Sequence, residues 1–134
     1  MASLDLPELP DGWIYEGWTV YEGQALTIGR FSDPTKDDLF NLYSGTEAKG
    51  PGFPGEDYLL NAPNGLTFPA ELANGTSVVV VSVEPNIMGD DPTGPSPFSI
   101  KPLVGMIPEG AKDHFNYDLI FSRESIPSGV VSFN

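Results

Sequence analysis

Cysteine is absent from the 134 residues. Its absence excludes a disulfide framework and any zinc or redox site built on thiolates. Histidine occurs once, and a catalytic zinc normally takes several His or Cys ligands. Basic residues are scarce: six Lys and Arg stand against nineteen Asp and Glu, for a net charge of −13. Binding nucleic acid needs clustered Lys and Arg at the phosphates, so no nucleic-acid partner is expected. An acidic surface instead fits solubility in a salty or extracellular medium. Long apolar runs are missing as well, and none reaches the roughly 18 residues of a membrane span. No basic, apolar, small-residue signal opens the chain. The start Met1-Ala2-Ser3 reads as a start codon set before an excised domain. A targeting segment, anchor or further domain upstream is therefore expected.

Turn formers are plentiful. The 15 glycines and 14 prolines break helices and favour short strands joined by turns. At 40% hydrophobic residues the chain can bury one core, as suits a single domain of this length. Residues 1–12 are acidic and broken by proline, and read as a lead-in to a domain over 13–134. Residues 13–21 alternate as a strand, with Trp13, Tyr15, Thr19 and Tyr21 on one face and Ile14, Trp18 and Val20 on the other. Glu22-Gly23 signals a tight turn into a returning strand over 25–31. Residues 78–84 are the strongest strand candidate, and their valine run predicts a central position buried on both faces. Further short strands are predicted over 39–43, 58–60, 66–68, 99–107, 117–122 and 130–133, with helical turns over 34–40 and 69–73. The expected architecture is all-β: an antiparallel β-sandwich of seven to nine short strands with Greek-key-type connections and at most one or two short helical turns.

Several motifs carry a chemical reading beside a plainer one. Gly50-Pro51-Gly52-Phe53-Pro54-Gly55 matches G-x-G-x-x-G. A dinucleotide site needs a strand before the motif and a helix after it, and these prolines forbid both, so the stretch reads as a loop. His114 beside Asp113 lacks a nucleophile elbow and reads as a surface histidine. Glu16, between Ile14 and Trp18, and Glu84, ending the valine strand, form a carboxylate pair that could serve glycoside hydrolysis. The plainer reading has each cap a strand end or pair with Arg30 or Lys101, and Glu16, Arg30 and Glu84 form a candidate polar cluster. Calcium prefers oxygens from acidic loops. Asn86, Asp90 and Asp91 are weak candidates, as are Asp33, Asp37 and Asp38, and neither group has the EF-hand spacing. Asn74-Gly75-Thr76 fits the glycosylation pattern but reads as a turn before a strand. Trp13, Tyr15, Trp18 and Tyr21 could offer an aromatic sugar-binding face, with core packing expected for at least two of them.

Two segments carry a family resemblance. Tyr15-Glu16-Gly17-Trp18-Thr19-Val20, then Gly23, then Gly29-Arg30-Phe31, resembles the first hairpin of the anti-sigma-K-type extracytoplasmic domain. Val80-Val81-Ser82-Val83-Glu84-Pro85, followed by Asp91-Pro92-Thr93-Gly94-Pro95, is similar to its second signature, a strand ending in Glu-Pro before a Pro-rich loop. Bacterial surface lipoproteins of the anti-sigma-factor-like kind share this wording. The resemblance spans about residues 9–31 and 70–100. It implies a non-enzymatic, all-β domain outside the cytoplasm, serving in sensing or surface interaction with an unnamed protein or small ligand. It also implies that a membrane is reached only through an anchor upstream, and that Trp18, Gly29, Phe31, Glu84 and Pro85 are structural residues. The cytoplasmic segment with which true anti-sigma factors hold a sigma factor has no counterpart in this sequence. No cofactor is expected beyond the calcium candidates. The alternatives are a secreted carbohydrate- or calcium-binding module and a small hydrolase using Glu16 and Glu84.

Overall fold

The computed structural model describes residues 4–38, 40–45 and 53–134. Among these residues five strands form: β1 (Trp13–Tyr21), β2 (Gln24–Phe31), β3 (Val78–Pro85), β4 (Leu103–Met106) and β5 (Ile120–Phe121). A 3-10 turn, Arg123–Ser125, follows β5. Every strand pair is antiparallel, and the order across the one open sheet is β2-β1-β3-β4-β5.

The β1–β2 hairpin turns on Glu22 and Gly23, both at positive φ (47° and 78°). That pair of dihedrals matches the right-handed twist of the flanking strands. Along the hairpin the register slips by one residue, with Gly17 opposite Gly29 but Trp18 opposite Thr27. Ile28 is thus the extra residue of a β-bulge, and its side chain fills the space above Gly17. Gly29, next in line, has φ of 106°, and a Cβ there would come within 2.7 Å of Asp38 and Phe40. Only glycine combines that dihedral with that approach.

Strand alternation sends Tyr15, Tyr21, Leu26, Phe31 and Val81 to one face, which holds the core. Irregular chain covers this face. Tyr43 and Tyr58 stack at 5.7 Å and pack with Phe40 and Phe68 over Tyr21 and Leu26. Leu4, Leu6 and Leu9 pack on Tyr15, Phe31 and Val81, so the lead-in closes the core at the other end.

Of the seven to nine strands expected, five form among the described residues, all in one antiparallel open sheet. Residues 58–60 cannot extend as a strand because Tyr58 and Asn61 sit at positive φ (51° and 58°). Leu66 donates its N–H to the Pro63 carbonyl at 3.0 Å, closing a turn where a strand was expected. Residues 69–73 make no helical turn, since the Glu71 carboxylate takes the Ala73 N–H at 2.9 Å. Residues 33–36 form a turn, in which Asp33 accepts the Thr35 N–H at 3.0 Å. Leu39, which the expected strand over 39–43 and the helical turn over 34–40 share, lies outside the described residues, and residues 40–43 are not strand. Residues 130–133 find no partner strand and remain coil.

Candidate functional site

Across the sheet from the core, β1 places a carboxylate between its two neighbours. Glu16 stands opposite Arg30 on β2 and opposite Ser82 on β3. Arg30 donates through Nε to Glu16 Oε2 at 2.9 Å, and the Thr27 hydroxyl donates to Glu16 Oε1 at 2.7 Å. The second arm of Arg30 reaches Asp91 Oδ1 at 2.7 Å. One guanidinium thereby ties β1, β2 and the loop after β3 together.

A second chain of bonds runs along β3. The Trp18 indole N–H donates to Ser82 Oγ at 2.8 Å. The Ser82 hydroxyl in turn donates to Glu84 Oε1, which also accepts the Phe98 N–H at 2.8 Å. Glu84 and Ser82 are 0% exposed and Trp18 is 2% exposed. Glu84 Oε2 has no hydrogen-bond partner among the described residues. The loop between Pro85 and Phe98 is held at three points: Asn86 N–H to the Gly12 carbonyl at 2.8 Å, Asp91 to Arg30, and Phe98 to Glu84.

Burial works against the Glu16 charge. It pushes the Glu16 carboxyl up from its ordinary value, against the hydrogen bonds from Thr27 and Arg30, while the nearby Glu84 adds a further push upward. Burial also pulls the Arg30 guanidinium down, but the bond to Glu16 and the carboxylates of Asp91 and Glu84 raise it on balance. The pair is thus a cross-link held against a desolvation cost. A depression of about 460 Å³ opens beside it, lined by Glu16, Trp18, Thr27, Asp91 and Pro95 among others.

This geometry decides what the two carboxylates can do. A glycosidase acid and base must face a sugar across an open space. Both Glu16 oxygens are already bonded, and Glu84 is sealed beneath the loop. Glu16 would have to give up a bond to Thr27 or Arg30 to act in the depression it lines, and Glu84 does not line it.

The remaining candidates scatter. The His114 side chain is 93% exposed, with Asp113 beside it at 3.1 Å. Asn86 and Asp90 are exposed, and Asp91 Oδ1 already accepts from Arg30, Thr93 and Gly94. Among the described residues no three His, Asp or Glu side chains come together as a metal site. Asp33 is bound to Thr35 and Lys36, which hold its carboxyl down at about 2. Asp38 turns to the N–H groups of Phe40 and Gly55 instead, at 2.6 and 2.9 Å. Of the glycine motif, residues 50–52 lie outside the described residues, and the Gly55 N–H, given to Asp38, is not free for a phosphate. Tyr15, Trp18 and Tyr21 are buried, and only Trp13, at 37% exposure, meets solvent. Asn74 Oδ1 accepts the N–H groups of Thr76 and Ser77 at 2.9 Å each, a turn that feeds β3.

Trp18, Phe31, Glu84 and Pro85 lie in the paired strands, and Gly29 lies at the bulge. Sequence reasoning overlooked Thr27 and Ser82 and did not pair Asp91 with Arg30. Ser82 did leave a signal: in a valine strand, two polar residues at i and i+2 share a face and need each other. No protein-family model, no curated protein and no solved structure matches the chain.

Proposed function

We propose that this chain is a non-enzymatic domain acting outside the cytoplasm, in sensing or surface interaction. On this reading it is related to the outer domains of anti-sigma-K-type factors and of anti-sigma-factor-like bacterial surface lipoproteins. The observation that carries the reading is the buried relay from Trp18 through Ser82 and Glu84 to Phe98. It joins the two segments that bear the resemblance, as neighbouring strands and the loop that follows them. The residues that stand out in the sequence are thereby occupied with holding the scaffold. Two carboxylates consumed in this way support a binding role over a catalytic one.

The same reading carries a two-sheet β-sandwich with Greek-key connections as its architectural half. Its support is the aromatic-rich coil of residues 40–45 and 53–72, which covers the apolar face where a sandwich places its second sheet. Among the described residues no helix is long and apolar enough to cross a membrane; the reading itself carries membrane contact through an upstream anchor.

Intact source cells treated with a membrane-impermeant amine reagent provide the test. Lys36 and Lys112 are exposed and should be labelled before lysis, and the native peptide map should extend upstream of Met1. Labelling only after lysis would overturn the location. Glycan hydrolysis by the purified chain that disappears in Glu16→Gln and Glu84→Gln would overturn the non-enzymatic half.

A further inference from the structure

The sheet is incomplete at one end. β5 pairs with β4 through Leu103 opposite Phe121 and Val104 opposite Ile120. Along its other side no strand lies among the described residues. An unpaired edge offers a row of N–H and C=O groups to any strand that reaches it. This one also offers apolar side chains, since Ile120 is 69% exposed, Phe121 59%, and Met106 on neighbouring β4 65%. The sequence from 117 to 122 has the pattern of a six-residue strand, yet only Ile120 and Phe121 are paired. Ser122 already gives its N–H to the Pro102 carbonyl at 2.9 Å, and a strand on the outer side would extend the pairing over residues 117–121.

The chain carries such a strand, also unpaired. Val130, Val131 and Phe133 are strand formers, and residues 130–133 carry no charge. Val130 is 96% exposed, Val131 80% and Phe133 95%. No hydrogen bond joins residues 127–134 to the rest of the described chain. Electrostatics single out the same end. Residues 101–134 hold four acids and three bases, a net −1, which leaves −12 of the chain's −13 on residues 1–100. Two copies repel least when they meet through this end.

We infer that residues 130–133 of one copy add as a strand along the β5 edge of a second copy, so that the chain self-associates through its near-neutral end. The partner is a second copy because one chain supplies both halves of the pairing, an open apolar edge and an uncharged apolar strand. Main-chain hydrogen bonds would supply affinity, and the exposed Ile120, Phe121 and Met106 would receive the valine and phenylalanine side chains. The inference rests on the interaction reading above and names its partner.

Sedimentation velocity of the purified chain across a range of concentrations tests it, with hydrogen exchange read on the same samples. Self-association is expected, with amides in 117–121 and 130–133 protected as the assembly forms. Val131→Pro removes a strand N–H and Ile120→Lys charges the edge, and both side chains are exposed enough for the monomer to keep its circular dichroism spectrum. Each variant alone should weaken association by about tenfold or more. Mixing the two should restore it in part, because the intact strand of one meets the intact edge of the other. A parent that stays monomeric at every concentration overturns the inference, as does an assembly indifferent to Val131→Pro. Protection of 130–133 in a monomer also overturns it, in favour of pairing within one chain. None of these failures alters the surface-labelling result, so the two readings fall separately.

Discussion

Replacing Trp18 by alanine tests the buried relay most directly. The indole is 2% exposed and bonded to Ser82, which is itself 0% exposed. Truncating a large aromatic in such a place costs about 3–5 kcal/mol in lost burial and residual cavity. Loss of the hydrogen bond to Ser82 adds about 1 kcal/mol. Domains of this kind are stable by about 5–15 kcal/mol, so the change removes about a quarter or more of the total. Urea unfolding reports the loss, and Trp13, the other tryptophan, remains as the fluorophore. A double-mutant cycle of Trp18→Phe with Ser82→Ala separates the bond from the volume, with an expected coupling of about 0.5–1.5 kcal/mol. A loss under about 1 kcal/mol for Trp18→Ala would refute the reasoning. A coupling near zero would show that the indole N–H and Ser82 do not act as a pair.

Other expectations follow from single sites. Gly29→Ala should cost about 1–3 kcal/mol in urea, because φ is 106° and a Cβ meets Asp38 and Phe40 at 2.7 Å; an unchanged midpoint would mean the bulge relaxes freely. Arg30→Ala should cost about 1–3 kcal/mol by stranding buried Glu16, whereas Asp91→Ala, which removes the more exposed partner, should cost under about 1 kcal/mol. Equal losses would place the weight on the loop instead. Burial holds the Glu56 carboxyl above its ordinary value, with the Ser44 hydroxyl opposing and Asp38 and Asp57 adding to the rise. The folded chain then keeps that proton to higher pH than the unfolded chain, so the group's stabilising share is present at acid pH and is lost as pH rises through the folded value. Glu56→Gln should therefore gain on the parent as pH rises above the ordinary Glu value toward neutrality. A difference that stays constant across that range would exclude the effect.

Much of the frame was legible from residues alone. Alternation over 13–21, the Glu-Gly turn and the valine run specify β1, β2 and β3, because a two-residue period and a tight turn are local properties of the chain. The sequence also marked Glu16, Arg30 and Glu84 as a polar group among apolar neighbours. Pairing lay beyond its reach. Residues 58–60 and 66–68 have the side chains of strands, but they fold over the core as coil, because Tyr58 and Asn61 take left-handed dihedrals that local preference does not reveal. The two carboxylates could be read as a catalytic pair until register set Glu16 beside Arg30 and the Phe98 N–H closed on Glu84. Register and loop closure depend on contacts between residues up to some sixty positions apart, such as Arg30 with Asp91 and Trp18 with Ser82. Local sequence determined which segments could be strands and which residues were too polar for their surroundings. Only the tertiary structure decided which strands found partners, and it made those polar residues the ties between them.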